Sequence, residues 1–352
     1  MALKVGILGA TGMVGQRFIQ LLGKHKWFSI DALLASERSA GKKYSDAASW
    51  YLAGDIPAEV GEMEVQKIDA AIVEKAGLDV VFSALPSDIA RKAEAEFAAK
   101  VPVFSNTSTY RMEPDVPLMV PEINPEHLDL LKIQKRERGW NGFLVTNPNC
   151  STIGLVIPLK PILDSLGIEW VNVATMQAVS GAGYAGVPSM AILDNLIPFI
   201  GGEEPKLETE SQKILGQFSG NVIKDADFDI FASCNRVMVR DGHTEAVFVK
   251  TAKDFEVDGV KDIFRKFRGE PQRLGLPTAP EEPIVVMDAE DRPQPLKDRN
   301  LGAGMSVAVG RIRKKSENLL KFTCLSHNTI RGAAGASILN AELAYKKGLL
   351  KG

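Results

Sequence analysis

The sequence predicts an α/β protein in two parts: a doubly wound parallel sheet, then an α+β domain with a largely antiparallel sheet. Three observations carry this. Between residues 4 and 146, short continuous apolar runs alternate with helical patterns, as in a parallel sheet covered on both faces. After residue 150, β-rich segments follow one another through long irregular stretches. At 352 residues the chain exceeds one ordinary domain and can bury a sizeable core.

Taken in order, residues 4–8 form a first strand stopped by Gly9, and a helical pattern runs over 13–22. Strands follow at 28–34, 80–84, 101–105 and 142–146, with an Ala-rich helix over 88–100. In the second part, strands are expected over 170–178, 235–239, 246–251, 305–312 and 319–325. Residues 328–347 turn helical again, and their small residues (Gly332, Ala333, Ala334, Gly335, Ala336) allow close packing. This helix is therefore expected to return to the first domain, giving residues 1–149 with 328–352 as one unit and 150–327 as the other. Residues 271–295 hold six prolines and read as an ordered surface excursion. The basic run 311–315 reads as a solvated hairpin end.

Composition excludes several classes. Hydrophobic residues make up 45% and charged residues 24%, as in a soluble globular protein. Forty-two basic against forty-four acidic residues leave a net charge of -2, with no electrostatic footprint for nucleic acid. Apolar stretches are broken by Pro or Lys well short of membrane-spanning length. The N-terminus runs directly into a strand, which leaves no room for a signal peptide. Cys150, Cys234 and Cys324 lie far apart without a CxxC pair, so neither a disulfide framework nor a metal site is expected. The expectation is a cytoplasmic enzyme.

Gly9-Ala10-Thr11-Gly12-Met13-Val14-Gly15 joins the first strand to the first helix. Glycines there permit a tight turn and let the backbone approach a pyrophosphate at the helix N-terminus. The GxxGxxG spacing also fits a plain strand-to-helix turn, but its place in a βαβ unit favours a Rossmann-type dinucleotide site, with Gly9, Thr11, Gly12, Met13 and Val14 against the cofactor. After the second strand come Ser36, Glu37, Arg38 and Ser39. Two hydroxyls and a guanidinium suit the 2′-phosphate of NADP. Glu37 turned inward would instead hold a ribose hydroxyl, and Arg38 also fits a solvated loop charge.

Asn147-Pro148-Asn149-Cys150-Ser151-Thr152 ends one strand and opens a helix over 151–163, expected to kink at Pro158. A thiolate at a helix N-terminus is stabilised by the dipole and free N–H groups. The same groups, with the Asn149 amide, can receive an oxyanion. A buried cysteine filling apolar space is the other reading of Cys150, and it suits Cys234 and Cys324 better. Of four histidines, His25 and His127 are expected on the surface and His327 near the domain junction. His243 follows the strand-like 236–239 and an Asp241-Gly242 turn, which would place it at a sheet edge as a general acid or base, or simply in an exposed turn.

Together these segments resemble the aspartate-β-semialdehyde dehydrogenase family over nearly the whole chain. The matching stretches are 9–15, 36–41, 105–111, 147–152, 177–183, 210–215, 236–243 and 327–332, and the form of 236–243 is similar to the archaeal and fungal branch. The resemblance implies interconversion of 4-phospho-L-aspartate and L-aspartate 4-semialdehyde with NADP and phosphate, through a cysteine thioester, toward lysine, methionine and threonine. It implies Cys150 as nucleophile, His243 as acid/base, Gln177 orienting the thioester and Arg236 gripping the substrate carboxylate. Arg111 and Lys213 would bind phosphate and Glu210 the substrate amino group, although Glu210 and Lys213 also fit a surface ion pair on a helix. Ser83, Leu85, Ser180, Gly181, Gly183 and Asn328 would lie along the cofactor. A homodimer or homotetramer built on the β-rich half is expected. Malonyl-CoA reductase, N-acetyl-glutamyl-phosphate reductase and a non-catalytic NADP sensor are the competing readings; the joint presence of Cys150, Gln177, Arg236 and His243 speaks against the sensor.

Overall fold

The computed structural model describes residues 2–350. Its first sheet has strands β1 (Leu3–Leu8), β2 (Phe28–Ala35), β3 (Val65–Lys67), β4 (Val80–Ser83), β5 (Pro102–Ser105) and β6 (Phe143–Thr146). All neighbours are parallel, in the order β3-β2-β1-β4-β5-β6. β4 and β6 are buried at every residue, which is why they read as unbroken apolar runs. Helix α1 (Met13–Leu22) buries Gly15, Phe18, Ile19 and Leu22, the spacing of one helical face. Helices α2 (Ser87–Ala98) and α3 (Leu130–Arg138) also belong to this half.

Helix α4 (Cys150–Leu166) begins at the cysteine, one residue before the expected start. It runs on through Pro158 and Pro161 and is buried almost all round, as a helix apolar on every side must be. The second sheet contains β7 (Ile168–Gln177). A small separate hairpin follows, β8 (Gln217–Ser219) with β9 (Val222–Lys224). The sheet continues with β10 (Asp229–Arg236), β11 (His243–Thr251), β12 (Ile284–Met287), β13 (Val307–Ser316) and β14 (Leu319–Ser326), in the order β10-β7-β11-β14-β13-β12. Its three central pairings are antiparallel and the two outer ones parallel. The alternation along β11 shows one face packed and the other half-open. Helices α5 (Glu203–Leu215) and α6 (Val257–Lys266) also belong to this half.

The C-terminal segment passes through a π-helical turn, Ile330–Ala334, into α7 (Gly335–Lys346), whose Ile338, Leu339 and Leu343 join the core of the first sheet. Arg331 in that turn forms a two-pronged pair with Glu122 at 2.8 and 2.7 Å, both side chains fully buried.

Three expectations are corrected. β10 and β11 are not a hairpin, because β7 lies between them; the Asp241-Gly242 stretch crosses over β7, and His243 stands inside the sheet rather than at its edge. The strand expected at 235–239 is the end of β10, which stops at Arg236. His25 and His127 are not surface residues. His25 Nε2 meets the buried Glu342 carboxylate at 2.7 Å. His127 is fully buried with Nδ1 against the Asn124 amide at 3.0 Å.

Candidate active site

The active-site end of the second sheet carries a row of inward-facing side chains. Arg236 pairs in register with Gln177, and His243 with Ser326. Above this row stands the first turn of α4. Asn149 caps it, its Oδ1 accepting from the N–H groups of Ser151 at 2.8 Å and Thr152 at 3.3 Å. Cys150 Sγ lies 3.1 Å from His243 Nε2, and His243 Nδ1 accepts from the N–H of Ala178 at 3.0 Å. Burial, then the Glu203 carboxylate, push the Cys150 thiol up to about 12, while Arg111 and Arg236 pull it the other way. Burial and the Arg236 charge push His243 down to about 3. The resting pair is therefore neutral thiol and neutral imidazole, joined by a hydrogen bond.

A cleft of about 730 Å³ opens over the sulfur. From the first half it is lined by Gly12, Met13, Val14, Leu85, Asn106 and Arg111, and from the second by Cys150, Gln177, Ser180, Gly181, Gly183, Glu203, Lys206 and Arg236. Asn328 closes the base, its Nδ2 donating to Ser180 Oγ and its Oδ1 accepting from the Gly242 N–H, both at 2.8 Å. The α1 N-terminus enters the cleft with no side-chain cap at Gly12, so its first N–H groups are left for a ligand. Arg236 is buried, donates to Ala178 O at 2.7 Å and has no carboxylate partner among the described residues, which makes it a receptor for an anion.

Other expected residues are placed differently. Gly9 shapes the turn rather than the ligand surface: its φ is +78° and a Cβ there would lie 2.6 Å from Ala84 O. Thr11 spends its carbonyl on Gln16 Nε2 at 3.1 Å and is outside the cleft lining. Ser83 is fully buried beneath the cleft and does not face it. Ser36 and Arg38 are exposed and Ser39 half-buried on the turn after β2 and are not among the residues lining this cleft, while Glu37 points to Lys67 at 3.7 Å instead of inward. The Asn149 Nδ2 donates one hydrogen to Glu203 at 2.8 Å, and the Gln177 Nε2 donates one to Thr175 Oγ1 at 3.3 Å. Each amide keeps a second N–H, and with Cys150's own N–H these are the donors open to an oxyanion there.

Glu210 and Lys213 form no surface pair. Glu210 is buried, taking Arg111 Nη1 at 3.0 Å and the Asn149 N–H at 2.7 Å. Lys213 Nζ donates to three carbonyls, of Arg111, Glu113 and Val116, at 2.6 to 3.0 Å. Burial pushes its ammonium down to about 8. It braces the loop that carries Arg111 and lies outside the cleft lining. Sequence reasoning missed Glu203 and Lys206, although the helical spacing 203, 206, 210, 213 was there to be read as one face.

A doubly wound nucleotide half, an open helix N-terminus and a cysteine–histidine pair in one cleft define a thiol-dependent dehydrogenase. Residues 4–131 match the family profile described as semialdehyde dehydrogenase, NAD binding domain, and residues 159–331 match semialdehyde dehydrogenase, dimerisation domain. The chain belongs to the aspartate-semialdehyde dehydrogenase family. The relative of that name from Methanothermobacter thermautotrophicus is 59% identical, over 96% of this chain and 98% of its own. The one from Schizosaccharomyces pombe is 49% identical over 99% of each. The solved aspartate semialdehyde dehydrogenase with NADP from Candida albicans superposes with a TM-score of 0.90 at 44% identity, covering 99% of this chain and 100% of that one.

Proposed function

We propose that the chain converts 4-phospho-L-aspartate to L-aspartate 4-semialdehyde with NADPH, and runs the phosphorylating reverse, through a thioester on Cys150. The observation that carries this is the 3.1 Å contact of Cys150 Sγ with His243 Nε2 at a helix N-terminus inside the cofactor cleft. Arg236, without a carboxylate of its own, takes the substrate carboxylate, which fixes the distance from that group to the reacting carbon. The Gln177 amide and the Cys150 N–H receive the carbonyl oxygen as it becomes an oxyanion. His243 handles the proton at sulfur. NADP, when bound, supplies hydride acceptance and return; the uncapped N-terminus of α1 and the glycine cradle at 9–15 fit its pyrophosphate, with Ser36, Arg38 and Ser39 on the side of the 2′-phosphate.

The full-length relatives favour an aspartyl substrate over malonyl-CoA. The reading places the chain in lysine, methionine and threonine biosynthesis, in the cytoplasm; no described helix is long and apolar enough to cross a membrane. Residues 1–149 with 328–352 act as the nucleotide unit and 150–327 as the catalytic unit. The half-open face of the second sheet, with Phe231 55% exposed at its edge, supports a homodimer or homotetramer.

The test is NADP reduction with L-aspartate 4-semialdehyde, with and without phosphate. Strong phosphate-dependent reduction is expected. Folded protein that reduces nothing here but oxidises NADPH with malonyl-CoA would transfer the assignment to that reductase.

A further inference from the structure

We propose that Thr175 is a positioning residue, which fixes the plane of the Gln177 amide before it meets the carbonyl oxygen at the reacting carbon. The inference deepens the proposed function and rests on it. β7 holds the backbone of Gln177, which pairs with Arg236 in the sheet and accepts from the Val237 N–H at 3.0 Å. Neither contact fixes the terminal amide, whose last torsion is broad. A donor that turns freely loses much of its value to an oxyanion, because it must be ordered again in every turnover. Thr175 lies two residues back on the same buried face of β7, and its Oγ1 accepts from Gln177 Nε2 at 3.3 Å. Among the described residues this is the only side-chain hydrogen bond that Gln177 makes. One N–H is spent on Thr175, and the second is left for the carbonyl oxygen.

The sheet shows why a hydroxyl here calls for a reason. Arg236, Gln177 and His243 form the row that faces the cleft. One step further into the sheet, Cys234, Thr175, Glu245 and Cys324 stand in register across four strands, all buried. One step beyond that, the row is apolar, with Val173 paired to Val247 and Val247 to Phe322, each fully buried. A valine would therefore suit position 175 by shape, and a fully buried hydroxyl costs stability unless it is bonded. Thr175 meets that condition through the Gln177 amide. Having accepted there, the hydroxyl still has a proton to place, and its two neighbours in register, Cys234 and Glu245, both carry acceptor atoms. Glu245 Oε1 has no donor among the described residues. Burial pushes the Glu245 carboxyl up to about 8, so this row adds no charge beneath the nucleophile at neutral pH. Thr175 does not line the cleft, and its effect reaches the substrate only through Gln177.

The experiment is steady-state kinetics in the phosphorylating direction with Thr175→Val, Thr175→Ser, Gln177→Ala and the double variant Thr175→Val/Gln177→Ala. Thr175→Val keeps the shape and loses the acceptor, and kcat is expected to fall about tenfold. The Michaelis constants for semialdehyde and phosphate should move far less, and Thr175→Ser should recover most of the rate. In the Gln177→Ala background the Val substitution should cost no more than about twofold, since the amide it directs is gone. Wild-type kcat in Thr175→Val overturns the inference. So does an equal loss in both backgrounds, which would make Thr175 a packing residue of the sheet. If the Val protein does not fold, Thr175→Ala is carried through the same two backgrounds and read by the same criteria. A wild-type enzyme whose NADP reduction ignores phosphate overturns the underlying functional reading instead, whatever the variants do.

Discussion

The backbone N–H of Ala178 donates to Nδ1 of His243 at 3.0 Å, which holds the ring with Nε2 facing Cys150 Sγ 3.1 Å away. Arg236 in turn donates to Ala178 O at 2.7 Å. One peptide unit thus ties the orientation of the imidazole to the residue that grips the substrate. His243→Asn should lower kcat by about 10²- to 10³-fold with a smaller change in KM. A variant in which only KM moved would remove His243 from the proton-transfer steps.

Cys150→Ser replaces the sulfur with a poorer nucleophile and leaving group at the same helix terminus. Cofactor binding and melting temperature should stay near wild type while turnover falls by at least about 10³-fold. Appreciable residual turnover would exclude a covalent thioester.

Gly332 presses on the nucleophile: a Cβ there would lie 2.7 Å from Cys150 Cβ and 3.0 Å from its Cα. Gly332→Ala must therefore displace Cys150 or the π-helical turn. The expected result is a loss of about 1–3 kcal/mol in stability and a fall in kcat of at least about tenfold, both readable on one preparation. Unaltered kinetics would show that the turn, and not the sulfur, gives way.

His127 is buried neutral, and burial, aided by the Lys213 charge, pushes it down from 6.5 to about 4. The unfolded chain takes up this proton first as pH falls. The contribution to stability is thus complete above about pH 6.5 and is lost progressively toward pH 4. In denaturant titrations, His127→Gln should flatten that decline by on the order of 1–2 kcal/mol. Parallel pH curves for the two proteins would rule the residue out.

β4 and β6 were legible because both faces are covered, so burial writes itself as an apolar run, whereas β3, a three-residue edge strand with its end exposed, was not foreseen. Cys150 was legible too, since the helix it begins is announced by Asn149 one residue earlier. The second sheet was not, because pairing is a non-local choice: nothing in 236–243 says that β7 will sit between the strands it joins. The partners of charged residues were equally hidden. Glu210 and Lys213 look like a solvent-exposed pair on a helix until the loop at 106–116, about a hundred positions earlier, folds over them. His127 looked exposed beside Glu126 and Asp129, yet it is fully buried with Nδ1 against the Asn124 amide.

The helix that begins at Cys150 leaves the last strand of the first sheet within four residues and then packs along the second sheet. The sulfur therefore sits on one of the two covalent joints between the halves, the other being the return of the chain after Ser326. The reacting atom is thus carried by a stretch of backbone that both sheets share.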